Sequence, residues 1–266
     1  MKLSDLPRIE ACFSPRDFYQ YEEGFELVVV IDVLRATSAI CAGIENGLEG
    51  IIPVSTVEEA REYLNKGYIA AAEREGKIVE GFPMGNSPYS YMEDNLKGKT
   101  VVLTTTNGTK AIKIAEHKKT LVIGSLNNLD ALVDWLVERG ENTILLASGW
   151  KDKFNLEDTI CAGAIIDGVM KSNQFQSNED SSVASRFLSK SAMENQFAFL
   201  KSSSHRRRLR KLNLNADVKY CLTPNNLSAI PILKDGVLIS LENFDKAVEA
   251  EKSKRKNREK MSGLSL

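Results

Sequence analysis

The stretch FELVVVIDVLRATSAICAGIENG (residues 25–47) decides the fold. Its apolar run Leu27–Ile31 has no polar alternation, the signature of a strand covered on both faces, as in a parallel sheet. The run stops at Asp32, and a helical stretch follows that closes at Gly47, a C-cap glycine. Outward from it the same unit recurs. IIPVS (51–55) reads as the next strand, and Thr56 with Glu59 forms a capping box for EEAREYLNKG (58–67), which Gly67 stops. YIAAAE (68–73) is a third strand candidate. TVVLTTTNGTKAIKIAEHK (100–118), TLVIGSLNNLDALVDWLVERG (120–140) and TILLASGWKDKFNLEDTICAGAIIDGVM (143–170) each run from strand through turn to helix. Alternation at this spacing predicts βαβ units and a mostly parallel sheet.

Between these units, EREGKIVEGFPMGNSPYSYM (73–92) has no period, and a loop of that length is expected to carry function. KSNQFQSNEDSS (171–182) reads as a polar break, followed by amphipathic helices around 183–200 and 203–212. Strand candidates at ADVKYCL (216–222), AIPIL (229–233) and GVLIS (236–240) either extend the sheet or form an edge ribbon. The charge-dense EAEKSKRKNREK (249–260) has little to pack. We therefore expect one α/β domain over 1–250, with a subdomain at about 171–250, and a flexible basic tail over 251–266.

With 266 residues, 42% of them hydrophobic, the chain can bury a real core. A formal net charge of -1 supplies no field to recruit nucleic acid. No apolar run approaches the roughly 20 residues of a membrane helix, and MKLSDLPRIEACFSP lacks a signal-peptide core. Four separated cysteines predict reduced thiols and a cytoplasmic setting, and two histidines exclude a His-rich metal centre.

In open parallel sheets, ligands bind beyond the carboxyl ends of the strands. Four such ends carry polar groups: Asp32–Thr37, Thr104–Thr109, Gly124–Asn128, and Ser148–Trp150 running on to Asn155–Asp158, with the Gly81–Pro88 loop a fifth. A carboxylate directly after a buried strand needs hydrogen bonds, an ion pair or a metal. Asp32 is thus a Mg2+ ligand or nucleophile, or else the N-cap of the helix that follows. Arg35 and Thr37 beside it are anion-binding types; Arg35 grips phosphate or carboxylate bidentately, or forms a structural ion pair. Thr106-Asn107-Gly108-Thr109 opens a helix, whose free N–H groups and positive end suit an oxyanion, although Asn-Gly is also an ordinary turn. Neither a Walker A pattern nor GxGxxG occurs, so no nucleotide cofactor is indicated. Asn155 and Asp158 can cap one helix start, but Glu157 and Asp158 cannot both be spent there, so at least one is expected on metal or substrate. Hard oxygen ligands favour Mg2+. His205 opens HRRRLRK (205–211), a solvated basic helix, a local nucleic-acid patch, or a pocket histidine that binds anion or moves a proton. No aromatics interleave with it for base stacking. His117 reads as a helix-end residue.

Taken together, VVVIDVLRAT (28–37), VEGFPMGNSP (79–88), TTTNGT (104–109), GSLNNLDAL (124–132) and NLEDTICAGA (155–164) resemble the 2-phosphosulfolactate phosphatase family of coenzyme M biosynthesis, over residues 25 to 240. The resemblance implies Mg2+-dependent hydrolysis of (R)-2-phospho-3-sulfolactate to sulfolactate and phosphate. It also implies a three-layer α/β/α fold, with the sheet mostly parallel and open to mixing, and a homodimer. By motif match it implies a site of Asp32, Arg35, Thr37, Gly85, Asn86, Ser87, Asn107, Gly108, Thr109, Asn127, Glu157 and Asp158, and Mg2+ falls to Asp32, Glu157 and Asp158. Such a substrate carries several charges that must each be compensated; Thr106 joins the phosphate turn, and Lys151, Lys153 and His205 or Arg206 are candidates for the sulfonate and carboxylate. Two departures stand out: Arg206, where the family has a small residue after the histidine, and Asn225-Asn226, where it has an acid. Competing readings are a lyase or isomerase acting on another phosphorylated hydroxy acid, and a non-catalytic anion-binding protein.

Overall fold

Strand β2 (Leu27–Ile31) is buried along its whole length because it has a core on each face. Leu27, Val29 and Ile31 enter one apolar cluster, while Val28 and Val30 enter the other. This explains an apolar run without alternation. The computed structural model describes residues 6–21 and 23–262, with side chains through 253. Around β2 lie β1 (Ile9–Cys12), β3 (Gly50–Pro53), β4 (Ile69–Arg74), β5 (Lys77–Ile78), β6 (Thr100–Thr104), β7 (Thr120–Gly124), β8 (Thr143–Ala147), β9 (Pro231–Lys234) and β10 (Val237–Ser240). They form one sheet in the order β1-β8-β2-β7-β9-β10-β3-β6-β4-β5.

Helices cover both faces. On one side α4 (Leu129–Arg139), α5 (Leu156–Met170), α6 (Asp180–Ala192), α8 (Ser204–Lys211) and α9 (Asn215–Cys221) bury Leu132, Ile165, Ala192, Leu209 and Val218. On the other, α1 (Ala36–Glu45) and α3 (Gly108–Ala115) bury Ile40 and Ile112, and α2 (Val57–Asn65) packs Ala60 against the β3–β6–β4 end. The result is a three-layer α/β/α architecture with a mixed, mostly parallel sheet.

The mixing is placed where the sequence does not announce it. β1, β8, β2 and β7 pair in parallel, as do β3, β6 and β4. The β9–β10 hairpin joins the two sets by antiparallel pairing on both its edges. It belongs to the same sheet, as one of the two alternatives had it, but as its seam rather than at its edge, and it leaves the two parallel sets running in opposite senses. Twist of roughly 20–25° per strand turns them toward each other, and α3, which follows β6, packs against β2.

Three other expectations change. ADVKYCL is helix α9, not a strand: Asp217, Val218 and Cys221 are buried at helical spacing. The polar break ends at Glu179, and Gln176 is held to Pro7 and Ile9 by backbone hydrogen bonds beside β1, a strand too short to read from its four residues. The basic tail continues helix α10 (Leu241–Ser262), and residues 263–266 lie outside the described residues. No helix among the described residues is long and apolar enough to cross a membrane.

Helices α5 and α6 meet at Gly163, where an added Cβ would stand 2.0 Å from the Ser185 carbonyl oxygen. Gly163→Ala should therefore destabilise the fold by about 1–3 kcal/mol or more, read as a lower urea midpoint; an unchanged midpoint would contradict this packing.

Candidate active site

Asp32 follows β2 directly and is only 5% exposed. Its backbone is fixed by Thr37, whose Oγ1 accepts from the Asp32 N–H at 3.1 Å and whose own N–H donates to the Asp32 carbonyl at 2.9 Å. The carboxylate caps nothing: the N-cap position of α1 is Arg35, and no side chain caps that helix. Neither Asp32 carboxylate oxygen has a hydrogen-bond partner among the described residues. Instead it faces the start of α3. A Cβ on Gly108 would lie 2.8 Å from Asp32 Oδ2 and 2.6 Å from Ala36 Cβ. Glycine there lets a positive helix end approach the acid.

The neighbouring acids differ in what they have left to offer. Asp158 Oδ1 accepts from the Val33 N–H at 2.8 Å, and Oδ2 accepts from Gly149 N–H at 3.1 Å and Asn155 Nδ2 at 2.8 Å. It braces the ends of β2 and β8, while Asn155 caps α5. Glu157, 1% exposed, places Oε1 2.6 Å from His205 Nδ1, and its Oε2 is buried without a partner. Buried Glu73 accepts from the Gly76 N–H at 2.5 Å and from Thr106 N–H at 3.3 Å, positioning the Thr106 turn.

Burial raises the Asp32 carboxyl well above the usual carboxylate range; Asp158 adds to this and His205 opposes it. Asp158 is pushed up to about 8 by burial and then Glu157, against the pull of its Val33, Asn155 and Gly149 donors.

Arg35 is buried and its guanidinium is shared out. It lies 2.5 Å from Asp217 Oδ2 and donates to the Gly76 carbonyl at 3.0 Å, tying the α1 start to α9 and the β4–β5 turn. The structural ion pair is therefore present. Thr109 Oγ1 accepts from Thr105 N–H, and Asn107 Oδ1 accepts from Lys151 N–H at 3.0 Å, joining the α3 turn to the 149–153 loop. Tyr91 donates to the Gly85 carbonyl at 3.1 Å and lies within the field of Arg35. Asn86 is buried with Oδ1 unpartnered, and Ser87 precedes the short Pro88–Met92 turn that packs on α1.

Several predicted site residues are not brought to Asp32. The Arg206 guanidinium lies 3.6 Å over the Phe197 ring and donates to the Phe197 carbonyl. Asn127 Nδ2 donates to Tyr220, Thr223 and Asn226, and Asn225 Oδ1 accepts from the Asp130 N–H at the α4 start. Both sequence departures thus fall on residues committed to structure. Lys151 is exposed and pairs with Glu75 at 3.0 Å, and Lys153 is exposed with only its backbone engaged, to Trp150. Three groups escaped the sequence reading: Glu73, Asp217 and Arg208. Glu73 carries the same signal as Asp32, an acid at the end of an apolar strand. Asp217 was hidden by reading α9 as a strand, and Arg208 by its basic neighbours.

Of the three carboxylates expected on Mg2+, Asp158 has both oxygens engaged, and no group of three His, Cys, Asp or Glu that could hold an ion occurs among the described residues. Glu157 Oε2, buried without a partner, and the buried Asp32 carboxylate still fit Mg2+, which takes one or two carboxylates and completes its shell with water and phosphate oxygens.

Fold and site define an α/β protein with a buried carboxylate cluster gathered at the starts of α1, α3, α5 and α8. The family model described as 2-phosphosulpholactate phosphatase matches residues 12–236. A relative from Caldanaerobacter subterraneus subsp. tengcongensis, named "Probable 2-phosphosulfolactate phosphatase", is 38% identical over 222 residues, covering 82% of this chain and 91% of its own. Relatives of the same name from Clostridium tetani (35% identical, 86% and 99% covered) and Thermotoga maritima (37%, 80% and 92%) align similarly. The chain belongs to the 2-phosphosulfolactate phosphatase family.

An acid whose pKa is raised by folding contributes stability that is full below its unfolded value and lost as pH rises through the folded one. Asp32 and Asp158 are such acids, so without added cation the melting temperature should fall as pH rises from about 4 through about 8. A flat profile would mean the charges are already compensated.

Proposed function

We propose that the chain is a Mg2+-dependent phosphatase that hydrolyses (R)-2-phospho-3-sulfolactate to sulfolactate and phosphate. The observation that carries this reading is the buried Asp32 carboxylate, set against the α3 start and within the field of Glu157, whose Oε2 is buried without a partner. Family membership and the names of its relatives support this choice of substrate.

Asp32 and Glu157 Oε2 would hold Mg2+, which supplies positive charge against the phosphoryl oxygens when bound. N–H groups of the first α3 turn bind the equatorial oxygens, where negative charge spreads during transfer. Thr37, Thr106 and Thr109 keep that turn and the Asp32 backbone in place. Gly85, Asn86 and Ser87 line the substrate from the opposite loop, and Asn86 Oδ1 offers an unused acceptor.

His205 moves the proton. The Glu157 carboxylate accepts from the Nδ1 side, so a neutral ring offers Nε2 as acceptor and, once it has taken a proton, its charge opposes that of Asp32. Water attacks phosphorus, the P–O ester bond breaks, Nε2 takes the water proton, and the same proton returns to the departing alkoxide. Trp150, whose ring centroid lies 5.2 Å from that of His205, fixes the imidazole plane.

Phosphate release from a panel of phosphorylated hydroxy acids tests the reading. We expect turnover of 2-phosphosulfolactate with Mg2+, a loss of about 100-fold or more with EDTA or in Asp32→Asn, and no hydroxylamine-sensitive acyl phosphate. Substrate consumption without phosphate release would instead indicate a lyase or isomerase, and an acyl phosphate on Asp32 would replace water as the attacking group.

A further inference from the structure

Among the described residues, Arg208 is a cation of this cluster with no ion pair and no hydrogen bond from its Nε or Nη2. Arg35 is paired with Asp217, Lys151 with Glu75, and His205 with Glu157. The Arg208 guanidinium lies 3.9 Å over the Trp150 ring, and its Nε and Nη2 are shielded from solvent with no hydrogen-bond partner among the described residues. Those two atoms form one edge of the planar group, the edge that meets two oxygens of an acid side by side. Leaving such donors buried and unmatched is costly unless a ligand completes them.

The surroundings select the ligand. Arg208 stands one turn after His205 on α8, so both side chains flank Trp150. It lies in the fields of Glu157 and Glu75 without closing an ion pair to either. Trp150 thus joins Arg208 to the Glu157–His205 pair, and the next residue, Lys151, ties the same loop to Asn107 at the phosphoryl turn. We propose that Arg208 is the specificity-determining residue for a terminal acid group, sulfonate or carboxylate, on the carbon next to the phosphate-bearing carbon of the substrate. This rests on the phosphatase reading and adds to it which side chain reads the far end.

The test compares (R)-2-phospho-3-sulfolactate with 2-phospholactate, which keeps the phosphate and carboxylate but lacks the sulfonate. Arg208→Gln should lower kcat/KM for the first by about 10- to 100-fold, mainly through KM, and change the second by less than about threefold. Arg208→Lys, which restores charge without the two-pronged edge, should recover only part of the loss. Equal losses on both substrates, or a loss confined to kcat, would overturn the proposal. Calorimetric binding of sulfolactate, which carries no phosphate, separates this failure from that of the phosphatase reading. Binding weakened about tenfold or more in Arg208→Gln supports the role even if no phosphate is released. No binding by the wild type, or equal binding by the two proteins, overturns it.

Discussion

The structure is organised around a charge that its own fold does not neutralise. Asp32 ends a strand covered on both faces, and its carboxylate meets Gly108 rather than a donor side chain. Asp158 and Glu73 crowd it with further negative charge, and only His205 acts against them. Burying an uncompensated carboxylate costs several kcal/mol in a protein interior, so Asp32 is held toward its neutral form, as its raised pKa shows, unless a positive group arrives. Nearby donors are spent on Asp158 and Glu73, which hold loops, while Glu157 Oε2 is left open.

That arrangement needs elements from both halves of the sheet. The β9–β10 hairpin joins two parallel sets of opposite sense, so a single sheet edge does not gather the strand ends. Helix starts do the gathering. The α1, α3, α5 and α8 starts contribute Arg35, Gly108, Glu157 and His205, and the buried Arg35–Asp217 pair locks α1 to α9 on the far side. Close approach depends on missing side chains, most directly at Gly108, where even one methyl group would strike Asp32 and Ala36.

Much of this was legible in the sequence because it is local. The uninterrupted Leu27–Ile31 run, the Thr56–Glu59 capping box and the strand–turn–helix repeats follow from periodicity and cap chemistry, and the acid after a buried strand marks Asp32. What failed is tertiary. Seven residues of α9 read equally well as a strand until their partners are known, and with them Asp217 was lost. Asp158 and Glu157 are adjacent carboxylates, and no spacing rule says that one is saturated by Val33, Gly149 and Asn155 while the other keeps an oxygen free. In HRRRLRK, helical phase at the site decides which arginine faces the pocket, and that phase is set by packing on Trp150 and Phe197.

The central claim is that Asp32 and Glu157 together receive a divalent cation. Titrating the protein with Mn2+ as a spin-active substitute for Mg2+ and counting bound ions by electron paramagnetic resonance addresses it without any substrate. The account predicts one saturable site in the wild type that is lost in Asp32→Asn and in Glu157→Gln but kept in Lys153→Ala. A site that survives both carboxylate changes would contradict it.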